Sequence, residues 1–523
     1  MSIWLHRATD QELFDQFYKS VQYDGKLMYI GRLLERASKN WPEKTALIFE
    51  GSSINYCQLY NRAVAFSKVL QEKGIKPRDR VVLLFENSIE FYVGYFGILQ
   101  VGAVVIPLNI FLKEREIEHI IADAQPALIV ADSVFMPLLQ KIEGDALPPV
   151  LTEIAMLPDD ATRDTQDLNF KVISLDPEEL AILLYTSGTT GVPKGVMISS
   201  KNCMINVMQG ASRFRYIGEE RFFAVLPLFH SFAQNACVWC PLFFGFTIIL
   251  VPKIDRRSIL EGLQHKPTIF VGVPALYGLL CLLKTAPLES VKIFASGGDA
   301  LSDKIRAAFA LIYRRKIVSG YGLTEASPVV SASFDDETVP TNNIGKPLVG
   351  IECSLRDEQG NEVPRGEVGQ LWVKGDNVML GYYNAPDMTS AAVQDGWLDT
   401  GDLAYMDGRG RLVISGRIKD LIIHKGFNIY PQEIENVLMS HPNVMRAGVI
   451  GKDDDDQGQV PIAYVQMIAE EPNMERVLKS LCIKNLAAYK MPREFICSTV
   501  PLPTTATGKV DKKKLKAELT EKS

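Results

Sequence analysis

The chain has 523 residues, of which 47% are hydrophobic, and its formal net charge is −6 at pH 7. This length exceeds what one hydrophobic core usually serves, so we expect at least two domains. The small net charge of mixed sign offers no extended basic surface, which argues against nucleic acid as a partner.

The N-terminal region alternates short apolar runs with helical patterns. Arg80–Glu86 and Ala103–Pro107 are apolar runs, and Ser88–Gln100 between them has helical periodicity, with Asn87 as its predicted N-cap. Such alternation predicts βαβ units, and therefore a parallel sheet with helices on its faces. Residues Met1–Asp10 lack a basic segment followed by a hydrophobic one, so we expect no signal peptide and a cytoplasmic location.

The segment Tyr185–Val196, with the sequence YTSGTTGVPKGV, follows a strand-like run at residues 179–184. Its glycines let the backbone turn tightly and direct N–H groups at an anion, while its hydroxyls and lysine add further donors. The spacing differs from that of a Walker A loop, because Lys194 lies between Pro193 and Gly195. The segment therefore predicts a polyphosphate-binding loop that contains Thr186, Ser187, Gly188, Thr189, Thr190, Gly191 and Lys194.

Residues 222–252 contain no Lys, Arg, Asp or Glu and are long enough to cross a bilayer. Three prolines divide the segment and polar side chains lie within it, so we expect a strand, a buried helix and a second strand instead. We interpret Cys237 and Cys240 as reduced core residues, and not as a redox or zinc pair, because their surroundings are apolar. Contact with a membrane surface stays open.

The alternating pattern recurs at residues 291–318, where Gly297, Gly298 and Asp299 follow an apolar run. Ligands of open α/β sheets bind at the carboxyl ends of the strands, so we expect these three residues to face a ligand.

The composition of the chain changes twice in its last third. Residues 340–415 contain strands separated by turn residues, which indicates a β-rich subdomain. A charged segment of helices and strands follows Arg417, with Pro431–Met439 as its first clear helix. We place the domain boundary at Lys419, which gives an N-terminal domain of residues 1–418 and a C-terminal domain of residues 419–523.

Four further segments follow the loop in order: YGLTE ending at Glu325, WLDTGD ending at Asp402, GRIKDLI beginning at Gly416 and PTTATGK ending at Lys509. Together with the loop they resemble the adenylate-forming superfamily of acyl-CoA synthetases, peptide-synthetase adenylation domains and firefly luciferase. The resemblance extends from about residue 30 to about residue 515. It implies an α/β fold, with a large N-terminal α/β domain that carries a β-rich subdomain and a small mobile α+β C-terminal domain. It also implies an ATP- and Mg²⁺-dependent enzyme that forms acyl-AMP and pyrophosphate and then transfers the acyl group to coenzyme A.

The resemblance implies roles around the nucleotide. Glu325 would bind Mg²⁺, and Thr324 would hydrogen-bond phosphate and the incoming carboxylate. The ring of Tyr321 would stack on adenine, and Gly322 would belong to the same cofactor-binding segment. Asp402 would accept both ribose hydroxyls, and Arg417 would lie near the ribose and the phosphates.

The resemblance further implies that the small domain rotates between the two half-reactions. Lys509 would enter the site from the small domain and bridge carboxylate and phosphate during adenylation. Lys419 matches the hinge. Lys425, Gly426 and Asn428 would face the site in the second orientation, where Gly426 leaves room for the pantetheine arm of CoA.

His230, within PLFHSF at Pro227–Phe232, resembles the histidine at the acyl pocket near the reacting carboxylate. Amino-acid-activating relatives have an acidic residue just after this point, whereas residues 229–235 contain none, which favours an apolar acid. Gln234 replaces a gating tryptophan of some long-chain ligases, so the chain length stays open. The proposed wall of the pocket consists of Phe229, Phe232, Val271, Pro274, Gly320 and Val329.

The sequence therefore predicts a ligase that joins a medium- to long-chain fatty acid to CoA. One alternative is a ligase that loads an acyl carrier protein, and a second is a ligase for aryl or cinnamoyl acids. A third, an inactive nucleotide-binding interaction module, is disfavoured because Glu325 and Lys509 are both present. The oligomeric state stays open, with a homodimer as one option.

Overall fold

The computed structural model describes residues 8–23, 25–142, 147–152, 154, 170–187, 193–216, 218–334, 342–425, 427–454, 457–505 and 509–521. Among these residues, no helix is both long enough and apolar enough to cross a membrane.

Residues 8–334 alternate strands with helices, as the sequence pattern predicts. The strands are β1 (Gln22–Tyr23), β2 (Lys26–Leu27), β3 (Thr45–Phe49), β4 (Ser52–Asn55), β5 (Arg80–Leu84), β6 (Val104–Pro107), β7 (Leu128–Ala131), β8 (Val150–Leu151), β9 (Leu180–Ser187), β10 (Pro193–Ser199), β11 (Arg221–Ala224), β12 (Thr247–Leu250), β13 (Ile269–Gly272), β14 (Ile293–Ser296), β15 (Ile317–Gly322) and β16 (Val329–Ser333). The helices are α1 (Asp10–Ser20), α2 (Leu33–Asn40), α3 (Tyr56–Glu72), α4 (Ile89–Gln100), α5 (Glu114–Ala124), α6 (Met136–Leu139), α7 (Ser200–Phe214), α8 (Ser231–Ala233), α9 (Cys240–Phe244), α10 (Arg256–Leu263), α11 (Pro274–Leu283) and α12 (Asp303–Tyr313).

The remaining residues are richer in strands. The next region contains β17 (Asn343–Pro347), β18 (Glu352–Arg356), β19 (Gly369–Lys374), β20 (Gly381–Tyr382), α13 (Pro386–Ala392), β21 (Val393–Gln394), β22 (Trp397–Met406) and β23 (Leu412–Arg417). The C-terminal region contains β24 (Ile422–His424), β25 (Phe427–Ile429), α14 (Pro431–Met439), β26 (Val444–Asp454), β27 (Gly458–Met467), α15 (Met474–Asn485), β28 (Glu494–Ser498) and α16 (Lys512–Glu521).

Two large sheets lie in the described part of the N-terminal region, besides the two-stranded sheet of β1 and β2. The first runs in the order β20-β10-β9-β6-β5-β7-β8, and its strands from β9 to β8 are parallel. The second has a parallel part, β3-β12-β11-β13-β14-β15, which continues through antiparallel β16 and β17 into β23, β22, β19 and β18. The predicted β-rich region is therefore present, and it extends the second sheet.

Helix α4 joins the two sheets. All of its residues except Glu90 are buried, and its hydrophobic side chains belong to one core cluster with side chains of β5 and β12. Its N-cap is Ser88, whose Oγ accepts a hydrogen bond from the Phe91 N–H at 3.2 Å, so the predicted cap at Asn87 is wrong. The buried Asn87 amide instead donates to the carbonyls of Leu226 and Val251, which ties β5 to the ends of β11 and β12.

The segment 222–252 folds as predicted, because β11 and β12 flank a buried helical region. Within it α8 continues into a π-helix, Gln234–Trp239, and then into α9. Cys237 and Cys240 are buried free thiols, and burial raises the pKa of Cys237 to about 12.

The C-terminal region has its own sheet and core. The sheet runs in the order β25-β24-β27-β26, with β28 parallel to β27. Helix α14 has the bounds predicted for it and packs on β26. The predicted boundary residue Lys419 lies in a 3₁₀ turn, Ile418–Asp420, between the two regions.

Candidate active site

Several segments that the sequence singles out meet at one edge of the second sheet. Strands β11, β13, β14 and β15 are parallel neighbours, so their carboxyl ends lie side by side. Three segments leave these ends: Pro227–Phe232 after β11, Gly297–Asp299 after β14, and Leu323–Glu325 after β15. The topology therefore gathers the proposed acyl-pocket residues and the proposed metal ligand around a single cleft.

A lysine, a tyrosine and a glutamate form the first polar cluster of the site. Lys194 Nζ donates to the Tyr382 hydroxyl at 2.5 Å, and this hydroxyl donates to Glu325 Oε1 at 2.9 Å. Lys194 Nζ is also 3.6 Å from Glu325 Oε1. The cluster links strand β10 to the turn after β15, because β20 pairs with β10 at Val196 and Tyr382.

Tyr382 is a site residue that the sequence analysis missed. Its side chain is buried, and the Lys194 ammonium lies 3.8 Å from the centre of its ring. Burial, followed by the negative charge of Glu325, raises the pKa of the Tyr382 phenol. The phenol therefore keeps its proton and can donate to Glu325. The only hint in the sequence is its place in GYYN at residues 381–384, and nothing there identifies its partners.

Asp402 lies at the centre of a second cluster. It is buried, and it is directly opposite Arg417 in the β22–β23 register, where the guanidinium Nε is 3.0 Å from Asp402 Oδ1. The Tyr321 hydroxyl donates to the other carboxylate oxygen at 2.5 Å. Asp402 is the main cause that raises the pKa of Arg417, whereas burial, before Asp402, raises the pKa of Tyr321. Protein groups thus orient both carboxylate oxygens of Asp402.

Thr324 and His230 form the third part of the site. Thr324 Oγ1 lies 3.1 Å from the hydroxyl of Ser231, the residue that follows His230. His230 Nδ1 accepts a hydrogen bond from the Phe232 N–H at 3.3 Å. Burial, with a smaller contribution from the charge of Lys509, lowers the pKa of His230 to about 4. The imidazole is therefore neutral at pH 7, with its proton on Nε2.

Lys509 belongs to the same charge environment. Burial lowers the pKa of its ammonium, Asp299 and Asp402 oppose this effect, and Arg417 adds to it. The Thr505 N–H donates to the Lys509 carbonyl at 2.8 Å, and Thr504 pairs with Val510 in an antiparallel bridge. The structure thus brings this lysine of the small domain to the cleft of the large domain.

The proposed phosphate loop is described in part. Thr186 lies opposite Lys194 in the β9–β10 register, and its buried Oγ1 has no hydrogen-bond partner among the described residues. Gly188, Thr189, Thr190 and Gly191 lie outside the described residues, as does the side chain of Ser187. A buried hydroxyl on the residue paired with a lysine fits an anionic ligand, which could accept a hydrogen bond from it.

A magnesium ion fits the donor set at Glu325. In the described part of the chain, no group of three or more His, Cys, Asp or Glu side chains could hold a metal ion. Mg²⁺ is commonly bound by one or two carboxylates together with substrate phosphates, so a single glutamate beside a phosphate site suffices. The contacts that Tyr382 and Lys194 make with Glu325 both involve Oε1.

The proposed acyl wall is apolar where the structure describes its contacts. A Cβ atom at Gly297 would lie 3.1 Å from the ring of Phe232, and one at Gly298 would lie 3.6 Å from Val273. Val271 is buried at the end of β13, and Pro274 is buried at the start of α11. Gly320 and Val329 lie in β15 and β16, and Phe229 makes an edge-to-face contact with Phe111.

The structure explains why glutamine is present at position 234 and glycine at position 322. Gln234 is fully buried, donating to the Phe229 carbonyl and accepting from the Tyr95 hydroxyl, each at 3.0 Å. A Cβ atom at Gly322 would lie 2.1 Å from the carbonyl oxygen of Pro328, so only glycine fits there.

The residues proposed for the second half-reaction lie elsewhere. Lys425 and Asn428 are exposed on the β24–β25 hairpin of the small domain, beside Phe427, whose ring stacks on Tyr489. Gly426 lies outside the described residues. Lys419 is exposed in its 3₁₀ turn. The orientation of the small domain is therefore the one that brings Lys509, and not Lys425, to the cleft.

Comparison with known families identifies the class of protein that has this fold and site. The family model for AMP-binding enzymes matches residues 34–383, and the model for the AMP-binding enzyme C-terminal domain matches residues 433–509. The chain belongs to the AMP-binding enzyme family.

Individual relatives narrow this class to acid–CoA ligases. The chain is 32% identical to a long-chain-fatty-acid–CoA ligase of Bacillus subtilis, over 94% of each chain, and 32% identical to 4-coumarate–CoA ligase 2 of Nicotiana tabacum, over 88% of each. Its fold matches the O-succinylbenzoate–CoA synthetase of Bacillus subtilis, solved with ATP and magnesium ion, with a TM-score of 0.82. That match has 27% identity and covers 93% of this chain and 99% of that chain. The protein is thus an adenylate-forming acid–CoA ligase, and CoA is its expected thiol substrate.

Proposed function

We propose that this ligase activates a medium- to long-chain fatty acid to acyl-AMP and then transfers the acyl group to CoA. The observation that supports this substrate is the apolar wall where Phe232 covers Gly297. Residues 229–235 include no acidic side chain that could bind a substrate ammonium group. A pocket of this character binds an acid through apolar contacts and a few polar groups at the carboxylate.

We assign the nucleotide to the first two clusters. Lys194 and the Thr186 hydroxyl would bind phosphate oxygens. Asp402 would accept hydrogen bonds from the ribose, while Tyr321 and Arg417 hold the Asp402 carboxylate in place. Glu325 would hold a bound Mg²⁺, which neutralises charge that develops on the phosphates. Tyr382 would keep the Glu325 carboxylate in place.

The carboxylate of the acid must approach the α-phosphate although both are anions. Lys509 supplies a positive charge between them, and the arrival of two anions favours its protonated form. Neutral His230 offers an N–H donor without a competing charge. Positioning and fixed charge therefore contribute most of the catalysis, with no covalent intermediate on the protein.

Thioester formation requires a second orientation of the small domain. We propose that the domain boundary at Lys419 is the hinge, and that rotation withdraws Lys509 and brings the hairpin with Lys425 and Asn428 to the cleft. The exposure of this hairpin in the present orientation supports the proposal.

A pyrophosphate-release assay across a panel of acids, each with and without CoA, tests the substrate. We expect the highest kcat/KM with saturated acids of medium to long chain, and CoA-dependent formation of AMP and acyl-CoA. A preference for cinnamic or benzoic acids would show that the substrate is an aryl or cinnamoyl acid and not a fatty acid. Release of pyrophosphate without any CoA-dependent acyl transfer would indicate a carrier protein as the acceptor.

A further inference from the structure

Lys304 of the large domain binds three backbone carbonyls of the small domain. Its Nζ donates to the carbonyl oxygens of Pro442 at 2.8 Å, Val444 at 2.9 Å and His441 at 3.4 Å. An ammonium group has three protons to donate, so this loop satisfies the whole group. Because Lys304 binds backbone carbonyls, these contacts between the two domains do not depend on the side chains of residues 441–444.

The location of Lys304 is unfavourable for its own helix. It lies in the first turn of α12, whose N-cap is Ser302, and the helix dipole disfavours a positive charge there. The carbonyls that it binds follow the C-terminal end of α14, where the dipole favours a positive charge. The Lys304 ammonium is close to the small domain through these hydrogen bonds, and burial lowers its pKa. The favourable electrostatic partner of Lys304 is therefore the other domain.

The loop that Lys304 binds leads into strand β26, which contacts the residue after Lys509. Val444 is the first residue of β26, and in the same strand Gly448 makes close contact with Val510, since a Cβ atom at Gly448 would lie 2.8 Å from that side chain. Val510 directly follows Lys509. Lys304 thus holds one end of the strand against which Val510, the residue after Lys509, packs.

We propose that Lys304 is a positioning residue that holds the small domain in the orientation for adenylation. The proposal rests on the two-orientation cycle described under Proposed function. Rotation of the small domain would break all three hydrogen bonds, so Lys304 stabilises the first orientation relative to the second. Removal of the ammonium should then slow adenylation and leave thioester formation intact.

Three variants test this role. Lys304→Met removes the ammonium and keeps most of the stem, Lys304→Arg keeps a cationic donor, and Lys284→Met removes an exposed lysine at the end of α11. We expect Lys304→Met to lower ATP–pyrophosphate exchange roughly three- to tenfold, the effect of losing charged hydrogen bonds at a partly exposed site. Formation of acyl-CoA from supplied acyl-adenylate and CoA should stay at the wild-type rate or increase. Lys304→Arg should restore most of the exchange, and Lys284→Met should match the wild type in both assays.

Equal loss in the two assays, or unchanged exchange in a Lys304→Met protein with normal thermal stability, would overturn the inference. Lys419→Pro, assayed in parallel, tests the rotation of the small domain separately from the role of Lys304. If this variant loses one half-reaction selectively while Lys304→Met shows no difference, the cycle stands and the role of Lys304 is wrong. If a folded Lys419→Pro protein loses both equally, the proposed rotation about a hinge at Lys419 fails, and the inference about Lys304, which rests on that rotation, fails with it.

Discussion

Tyr382 connects two residues that belong to distant motifs of the sequence. Lys194 lies in β10 and Glu325 in the turn after β15, and the Tyr382 hydroxyl is hydrogen-bonded to both. Without this hydroxyl, the ammonium and the carboxylate remain 3.6 Å apart, and the orientation of Glu325 is less restricted. Tyr382 therefore determines how well Glu325 is oriented for a metal ion.

Tyr382→Phe removes the hydroxyl and keeps the ring. A hydrogen bond to a charged group contributes about 1.5–3 kcal/mol, so we expect adenylation to fall by roughly tenfold or more. The concentration of Mg²⁺ that gives half-maximal rate should rise, because the carboxylate is less well oriented. Pyrophosphate exchange, titrated with Mg²⁺, measures both effects. Tyr383→Phe is the matched control, and we expect it to keep the wild-type exchange rate and Mg²⁺ requirement. An unchanged Mg²⁺ requirement in Tyr382→Phe would contradict the proposal that Tyr382 orients Glu325.

The depressed pKa of His230 predicts a pH dependence of stability. The ordinary histidine pKa is 6.5, and that of His230 in the folded protein is about 4. Between these values the unfolded chain binds a proton that the folded protein does not, so stability falls as pH decreases through this window. We expect the melting temperature of the wild type to fall more steeply from pH 7 to pH 5 than that of His230→Gln. His265→Gln, outside the site, should follow the wild type, and parallel curves for all three proteins would refute the buried neutral histidine.

At the scale of residues, the sequence could predict side chains that belong to ordered motifs. It identified Lys194, Glu325, Asp402 and Arg417, which the structure gathers in two clusters, although their catalytic roles stay predictions. It could not predict Tyr382, because the partners of Tyr382 depend on the pairing of β20 with β10, two strands far apart in the chain. Pairings of this kind follow from the whole fold and leave no local pattern.

Strand ends position the proposed acyl pocket. Gly297 follows β14 directly, and its lack of a side chain leaves room for the ring of Phe232. An added Cβ would lie 3.1 Å from that ring, which is closer than an ordinary carbon–carbon contact of about 3.5–4.0 Å. The ring of Phe232, which belongs to the proposed wall of the acyl pocket, must then move.

Gly297→Ala should therefore change the choice of acid. We expect kcat/KM for the longest or bulkiest accepted acid to fall roughly tenfold relative to a short acid, since one methyl group changes a hydrophobic pocket by about 1–3 kcal/mol. Phe232→Leu in the same protein should reverse much of the change, because the smaller side chain makes space for the added methyl. Equal effects on all acids, or no rescue by Phe232→Leu, would place the acyl chain elsewhere.

At the scale of elements, hydrophobic periodicity predicted the strands and helices well. The bounds of α14 agree with the prediction, and β11, the helical region and β12 replace the apolar segment that resembled a membrane span. The error at Asn87 has a physical cause. Asparagine and serine are both good N-caps, and the sequence does not show that the Asn87 amide is needed to join two sheets. The π-helix at Gln234–Trp239 likewise has no local sequence pattern that would distinguish it from an α-helix.

The orientation of the small domain is a property of the whole molecule. Sequence motifs predicted that Lys509 belongs to the site, and the structure brings its charge close to that of Asp299 and Asp402. The motifs could not predict which of the two proposed orientations the structure shows, since the contacts between the two regions, such as that of Lys304 with the loop after α14, join residues far apart in the chain. The residues that the second orientation would use, Lys425 and Asn428, are exposed in the first.

The hinge is tested by Lys419→Pro, which restricts the backbone and leaves both substrates untouched. Lys419 lies in a 3₁₀ turn, where φ is close to the value of about −65° that proline requires, so the variant should fit the present orientation. We expect pyrophosphate exchange to survive, because Lys509 stays at the cleft, and acyl-CoA formation to fall at least tenfold, because Lys425 and Asn428 cannot replace it. Lys419→Ala removes the same side chain without restricting φ and should retain both activities. Both assays on one preparation, with thermal melts to verify folding, give the result: equal loss of the two half-reactions in a folded Lys419→Pro protein would exclude a hinge at this residue.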